Sequence, residues 1–220
     1  MELDIEHDET KRLLIVSPHT DDGEISCGGT IARFVEAGWD VHYIALSACE
    51  KSVRLSLPKD TLRIECRDAT QSLGIPKENV KIYEFEVRDF PDQRQDILET
   101  FVKIWEEKKP NIVIGPSSHD VHQDHITTRN EILRAFRQCT ILGFELPWDY
   151  ISFETQCFVP VTKDHLEKKM KAMKCYKSQS HRGGYMNDDY ILGLARTRGS
   201  QIKAEYAECF EVIRWVMRRV

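Results

Sequence analysis

Short apolar runs of strand length alternate along this chain with amphipathic stretches of helical length, and the runs open into polar loops. Residues 12–17, built on Leu13-Leu14-Ile15-Val16, read as a buried strand, and Glu24–Ala37 as a helix that stops at Gly38. Asp40–Leu46 is rich in β-formers, and Thr61–Leu73 has helical periodicity ending at Gly74-Ile75-Pro76. The pattern predicts a strand over Val80–Val87, a helix over Gln93–Lys108 halted by Pro110, a strand over Asn111–Gly115 and a helix over Ile126–Arg137. Parallel strands need crossovers of this length, so the expected architecture is α/β, a Rossmann-like three-layer α/β/α sandwich with a mostly parallel sheet. Beyond Gly143 the pattern is looser. It predicts a sheet-edge strand within Phe153–Val161, a charged helix over Lys163–Tyr176, a turn at Gly183-Gly184 and a closing helix over Ala204–Arg219.

With 220 residues, no linker and no internal repeat, residues 1–220 read as a single domain. The 31 basic and 36 acidic residues give a net charge of -5 without a basic block, which argues against a nucleic-acid partner. No run approaches the roughly 18 apolar residues of a membrane span. The acidic start (Glu2, Asp4, Glu6) is unlike a secretory signal, so the expected location is cytoplasmic. Seven cysteines without a Cys-x-x-Cys pair suit reduced thiols that fill core and helix positions, Cys27 included.

The chemistry-bearing residues gather in two loops. Pro18-His19-Thr20-Asp21-Asp22 follows the first strand, where α/β proteins place their sites. One of its two carboxylates can join His19 on a metal while the other accepts a proton from water; equally, Asp before a helix can cap its free N–H groups. Gly28-Gly29 lacks the Gly-x-Gly-x-x-Gly spacing of a dinucleotide fingerprint and suits close helix packing. The second loop, His119-Asp120-Val121-His122-Gln123-Asp124-His125, runs into a helix. His122 and His125 can share a face there, one as ligand and one as acid–base or oxyanion-stabilising group, with Asp124 available to fix an imidazole; His119 can equally be a solvated surface residue.

Ser17-Pro18-His19-Thr20-Asp21-Asp22-Gly23-Glu24, the following Gly28-Gly29, and Asp120-x-His122-x-x-His125 resemble the two motifs of the LmbE-like, or PIG-L, family of metal-dependent N-acetylglucosaminyl deacetylases. Thr20 stands where the family usually has proline, which removes a φ restraint from the loop. Weaker matches at Arg63-Ile64-Glu65, Ser178-Gln179 and Tyr206-Ala207-Glu208 extend the likeness over most of the chain. The resemblance implies the LmbE-like fold, with His19, Asp22 and His125 as zinc ligands and Asp21 as general base. It further implies His122 as acid and oxyanion stabiliser oriented by Asp124, Arg63 in the substrate cleft, and Tyr206 near the reacting carbonyl. An N-acetylated sugar or glycoconjugate is the implied substrate, and a homo-oligomer the implied assembly. The ligand set suits zinc and also accepts iron, cobalt or nickel.

Two rival readings are a Rossmann-type oxidoreductase or transferase, which leaves the histidines unexplained, and an inactive carbohydrate- or nucleotide-binding protein that keeps the fold. Trp105 and Trp215 are expected in helical cores and Trp148 at the border of a cleft or in packing. Lys168-Lys169-Met170-Lys171 is expected on a solvated helix face.

Overall fold

The computed structural model describes residues 11–180, 184 and 187–217. In chain order the elements are β1 (Arg12–His19), α1 (Asp22–Glu36), β2 (Asp40–Ser47), α2 (Thr61–Ser72), β3 (Val80–Ile82), α3 (Arg94–Lys108) and β4 (Ile112–Pro116). They continue with α4 (Gln123–Ala135), β5 (Thr140–Phe144), β6 (Cys157–Val161), α5 (Lys163–Met173), α6 (Asp188–Ser200) and β7 (Tyr206–Arg214). β1 is apolar without alternation because helices cover both of its faces. Leu13 and Ile15 pack on one side with residues of α1, α2, α5 and α6; Leu14 and Val16 pack on the other with α3 and α4.

The sheet order is β3-β2-β1-β4-β5-β7-β6, with β1 to β5 parallel and β7 antiparallel to both of its neighbours. This is the mostly parallel three-layer arrangement that the alternating pattern predicts. The chain moves outward from β1 through β2 and β3, then returns to β4 on β1's other side. Strand order therefore reverses between β1 and β4, and the crevice at their carboxyl ends is where open α/β sheets bind ligands. Both histidine loops leave from that crevice.

Four expectations are corrected. The segment expected to close the chain as a helix is instead β7, buried between β5 and β6, and Trp215, expected in a helical core, follows it at 63% exposure. Glu208 and Glu211 mimic the polar face of a helix, yet both are buried and bonded. A helix the pattern missed, α6, contains Gly193 and Gly199, poor helix formers; a Cβ on Gly199 would lie 2.8 Å from Ala204 O, so close backbone approach demands glycine. β3 ends at Ile82 rather than Val87: Tyr83 and Phe85 still donate to Ala45 O and Leu46 O, and beyond them the amides of Arg88 and Phe90 turn to Asp124. Lys169 is not solvated: it is 4% exposed and its Nζ lies 2.6 Å from Glu208 Oε1. The turn expected at Gly183-Gly184 falls partly outside the described residues, with Gly184 in a turn. Trp105 packs on the α3 and α4 side of the core as expected.

The buried pair explains Gly28 and Gly29 of α1. That helix breaks at Cys27 (φ -133°, ψ 25°), and the amides of Gly29 and Thr30 beyond the break donate to Glu208 at 3.1 and 2.6 Å. A Cβ on Gly28 would sit 2.8 Å from Lys169 Cγ. Glu208→Ala strands a buried ammonium and two amides, and should cost about 3–5 kcal/mol in urea unfolding; a loss below about 1 kcal/mol would contradict this account.

Candidate metal centre

β1 ends at His19, and the chain turns so that the His19 amide donates to Asp22 Oδ2 at 2.9 Å. That same oxygen lies 3.1 Å from His19 Nδ1 and 3.2 Å from His125 Nε2, and the two nitrogens are 3.2 Å apart. Residues more than a hundred positions apart thus close into one triangle, with His125 on the first turn of α4. His19, Asp22 and His125 are 9%, 8% and 1% exposed.

Each imidazole is held from behind by a carboxylate. His19 Nε2 lies 3.0 Å from Asp124 Oδ2, and His125 Nδ1 lies 2.7 Å from Asp120 Oδ2. Asp124 also accepts the amides of Arg88 (2.6 Å) and Phe90 (3.4 Å), and Asp120 Oδ1 that of His122 (2.9 Å). This corrects the expected pairing: the Asp124 carboxylate orients His19 rather than His122. It is the Asp124 amide that bonds His122, donating to Nδ1 at 3.2 Å. Asp120, within the motif but given no role by sequence, steadies His125.

The electrostatics of the triangle favour a cation. Burial would lower the pKa of His19, but the Asp22 charge and the bonds to Asp124 and Asp22 lift it to about 9. His125 rises well above its usual value against the same burial, through Asp22 and Asp120. Asp22, between the two, is held well below the carboxylate range, its burial outweighed by His125 and His19. His122 is different: burial and then the charges of His125 and His19 push the pKa of its half-buried ring down.

His19, Asp22 and His125 could hold a divalent ion. In a tetrahedral shell with ligands at about 2.0–2.1 Å, donor atoms stand roughly 3.4 Å apart, close to the observed edges. A cation entering there replaces the protons that Asp22 now attracts. His122 also brings a nitrogen within 4.8 Å of those of His19 and His125, while the Asp22 oxygen lies 3.1 and 3.2 Å from them. Asp120, His125 and Asp149 also offer atoms within 4.8 Å of one another; there Nδ1 is already bonded to Asp120, which marks a hydrogen-bonded pair rather than a second centre. Burial lifts the Asp149 carboxyl to about 6.

The other expected site residues fall as follows. Asp21 is at the N-cap position of α1, half-buried, and its side chain makes no capping bond, so the simple capping reading does not hold. Arg63 is engaged on the same sheet edge, with Nη1 donating to Ile82 O at 3.0 Å and Nη2 3.4 Å from Glu84 and 3.8 Å from Glu50. Tyr206 is buried and accepts from Arg196 at 3.0 Å. His119 lies 3.4 Å from Ser152 Oγ. Trp148 is 39% exposed, with its ring centroid 5.9 Å from that of Tyr190. Cys27 is fully buried, and that burial drives its thiol pKa far up, consistent with packing.

The loop between β4 and α4 is tied to β7 by Glu211, which accepts from Ser117 Oγ and the Ser118 amide, each at 2.7 Å, and from Ser118 Oγ. Burial would raise the Glu211 pKa, but these bonds outweigh it and lower it. The stabilisation is therefore present above the unfolded carboxylate's pKa of about 4.3 and is lost as pH falls through the folded value. Glu211→Gln should be less stable than wild type near neutral pH, and the gap should close in acid. Urea midpoints at both ends measure it, and a gap independent of pH would refute the assignment.

The PIG-L family model, described as GlcNAc-PI de-N-acetylase, matches residues 14–136. The chain is 26% identical over 179 residues to Uncharacterized deacetylase YaiS of Escherichia coli (strain K12), covering 76% of this chain and 91% of that one. It is 24% identical over 231 residues to Diacetylchitobiose deacetylase of Thermococcus kodakarensis, covering 91% and 82%. Among solved structures, N,N'-diacetylchitobiose deacetylase from Pyrococcus horikoshii superposes with a TM-score of 0.78 at 20% identity, covering 97% and 87%. GalB, the 4-carboxy-2-hydroxymuconate hydratase of Pseudomonas putida KT2440, superposes at 0.74 with 21% identity, covering 96% and 100%. These two likenesses speak to the fold alone, and the hydratase shows that this fold carries more than one reaction. The family match spans more than half of the 220 residues and contains both histidine loops. The chain therefore belongs to the PIG-L family of de-N-acetylases, hydrolases of carbon–nitrogen bonds other than peptide bonds.

Proposed function

We propose that the protein is a zinc-dependent hydrolase that removes the N-acetyl group from an N-acetylglucosamine-type sugar or glycoconjugate, as a single domain over residues 1–220. The reading is carried by the closed set of His19 Nδ1, Asp22 Oδ2 and His125 Nε2, 3.1–3.2 Å apart, backed by Asp124 and Asp120. His19, Asp22 and His125 would hold the ion. When bound, it supplies Lewis acidity, lowering the pKa of water and polarising the acetyl carbonyl.

The remaining work falls to side chains. Asp124 and Asp120 take the outer N–H of His19 and His125, which leaves the lone pairs of the inner nitrogens toward Asp22. Asp21, next to a ligand and without a capping bond, accepts the proton of the attacking water. His122 accepts at Nδ1, so the ring carries its proton on Nε2 and donates to the oxyanion formed when water adds to the carbonyl. His122, or Asp21 with the proton it has gained, then delivers a proton to the departing amine. Arg63 is assigned to the rim of the substrate path.

The same reading takes the protein to be cytoplasmic and homo-oligomeric. All seven cysteines are free, as a reducing compartment requires, and no helix among the described residues is long and apolar enough to cross a membrane. Acetate release from N-acetylglucosamine and N,N'-diacetylchitobiose, with metal analysis of the same preparation, tests the activity. Turnover abolished by a chelator and restored by zinc is expected. A zinc-loaded protein that releases acetate from neither sugar would instead fit a binding protein that keeps the fold.

A further inference from the structure

Two tyrosines distant in sequence meet at one backbone carbonyl of the first histidine loop. Tyr43, on β2, donates to Thr20 O at 3.2 Å, and Tyr176, just past α5, donates to the same oxygen. Glu24 ties the two hydroxyls together, its Oε1 lying 2.7 Å from Tyr176 Oη and its Oε2 bonded to Tyr43 Oη; a hydroxyl has one proton to give, so each is shared between the carboxyl group and Thr20 O. Thr20, Glu24 and Tyr43 are fully buried and Tyr176 is 2% exposed, so water does not compete for these bonds.

That carbonyl belongs to the peptide joining Thr20 to Asp21, whose orientation sets the direction in which Asp21 leaves the backbone. Asp22 is anchored separately. Its carboxylate accepts the His19 amide and meets both imidazoles, and its carbonyl accepts Ser26 Oγ at 2.6 Å. Rotation of the preceding peptide would therefore disturb Asp21 before it disturbed the triangle. Thr20 lacks the ring that would restrict φ, and its Oγ1 has no hydrogen-bond partner among the described residues. The hydroxyl clamp on its carbonyl supplies the restraint instead.

We infer that Tyr43 and Tyr176 are positioning residues for the reaction: by clamping the Thr20 carbonyl they fix how Asp21 is presented, while touching none of the residues that would hold the ion. The inference rests on the proposed role of Asp21 as base. With zinc-loaded protein and N,N'-diacetylchitobiose, Tyr43→Phe and Tyr176→Phe should retain full zinc occupancy and KM while lowering kcat, by up to roughly 100-fold for the pair. In an Asp21→Asn background the same substitutions should lower kcat no further, because they act through a group already removed.

A loss by the same factor in both backgrounds, zinc lost together with activity, or unchanged kcat in the double tyrosine variant would each overturn the clamp. If Asp21→Asn alone keeps wild-type kcat, the base assignment fails and the clamp falls with it. If Asp21→Asn is impaired and the tyrosine losses multiply with it, the base stands and only the clamp fails. Melting temperatures separate loss of folding from loss of presentation. Tyr43→Phe removes the longer contact and leaves Tyr176 on the carbonyl, so the test survives if Tyr176→Phe does not fold.

Discussion

Asp21→Asn should keep its metal and lose most of its turnover. The substitution preserves size and removes the only property the proposed step uses, the capacity to accept a proton, so kcat for acetate release should fall by roughly two to four powers of ten. Metal content should hold, because the triangle uses Asp22 Oδ2 and the Asp21 side chain makes no bond that caps α1. KM should change little, since the group acts on water rather than on the bound sugar. Single-turnover acetate release together with metal analysis measures both quantities. Full activity with bound metal would remove Asp21 from the reaction, and metal lost with activity would make it a ligand.

His125→Ala should remove metal and activity together. The ring contributes one of three inner donors, and its loss also leaves two buried carboxylates, Asp22 and Asp120, without the imidazole that bonds both. Zinc affinity should fall beyond what a single lost contact implies, because the remaining donors, His19 and Asp22, no longer enclose the ion. An outer partner behaves differently. Weakening the Asp120 support of His125, as in Asp120→Asn, should cost about 10–100-fold in affinity or activity. Competition against a chromogenic chelator ranks the two variants, and equal affinities would show that His125 is not an inner donor.

The parts of the fold that the sequence discloses are those where side-chain pattern and burial agree. β1, β2 and β4 are apolar because helices cover both faces, and α1 stops at Gly38, whose φ of 77° suits glycine. β7 and the face of α5 carrying Lys169 are hidden for one shared reason: Glu208 and Lys169 neutralise each other in the interior, and a charge in a sequence reads as solvent-facing until its partner is known. That two loops bring imidazoles and carboxylates to one place was legible in the sequence, whereas the loops alone left open which of Asp21 and Asp22, and which of His122 and His125, would face His19. Which carboxylate serves which imidazole was not legible. Asp124 is one residue from His125, yet its carboxylate bonds to His19, while Asp120, five residues before His125, bonds to that ring. Tyr43 and Tyr176 carry no signal at all, since a hydroxyl at the rim of an apolar core looks like any other buried aromatic until the loop it grips is in place.

β7 has a consequence for how such a chain is made. It enters the sheet between β5 and β6, and β6 has no other neighbour among the described residues. Until translation passes residue 214, β5 and β6 each present an unsatisfied edge, the kind of surface on which incomplete polypeptides associate. The carboxylate that completes α1 arrives with the same strand, so a helix made early among the described residues is finished only when their last strand is in place.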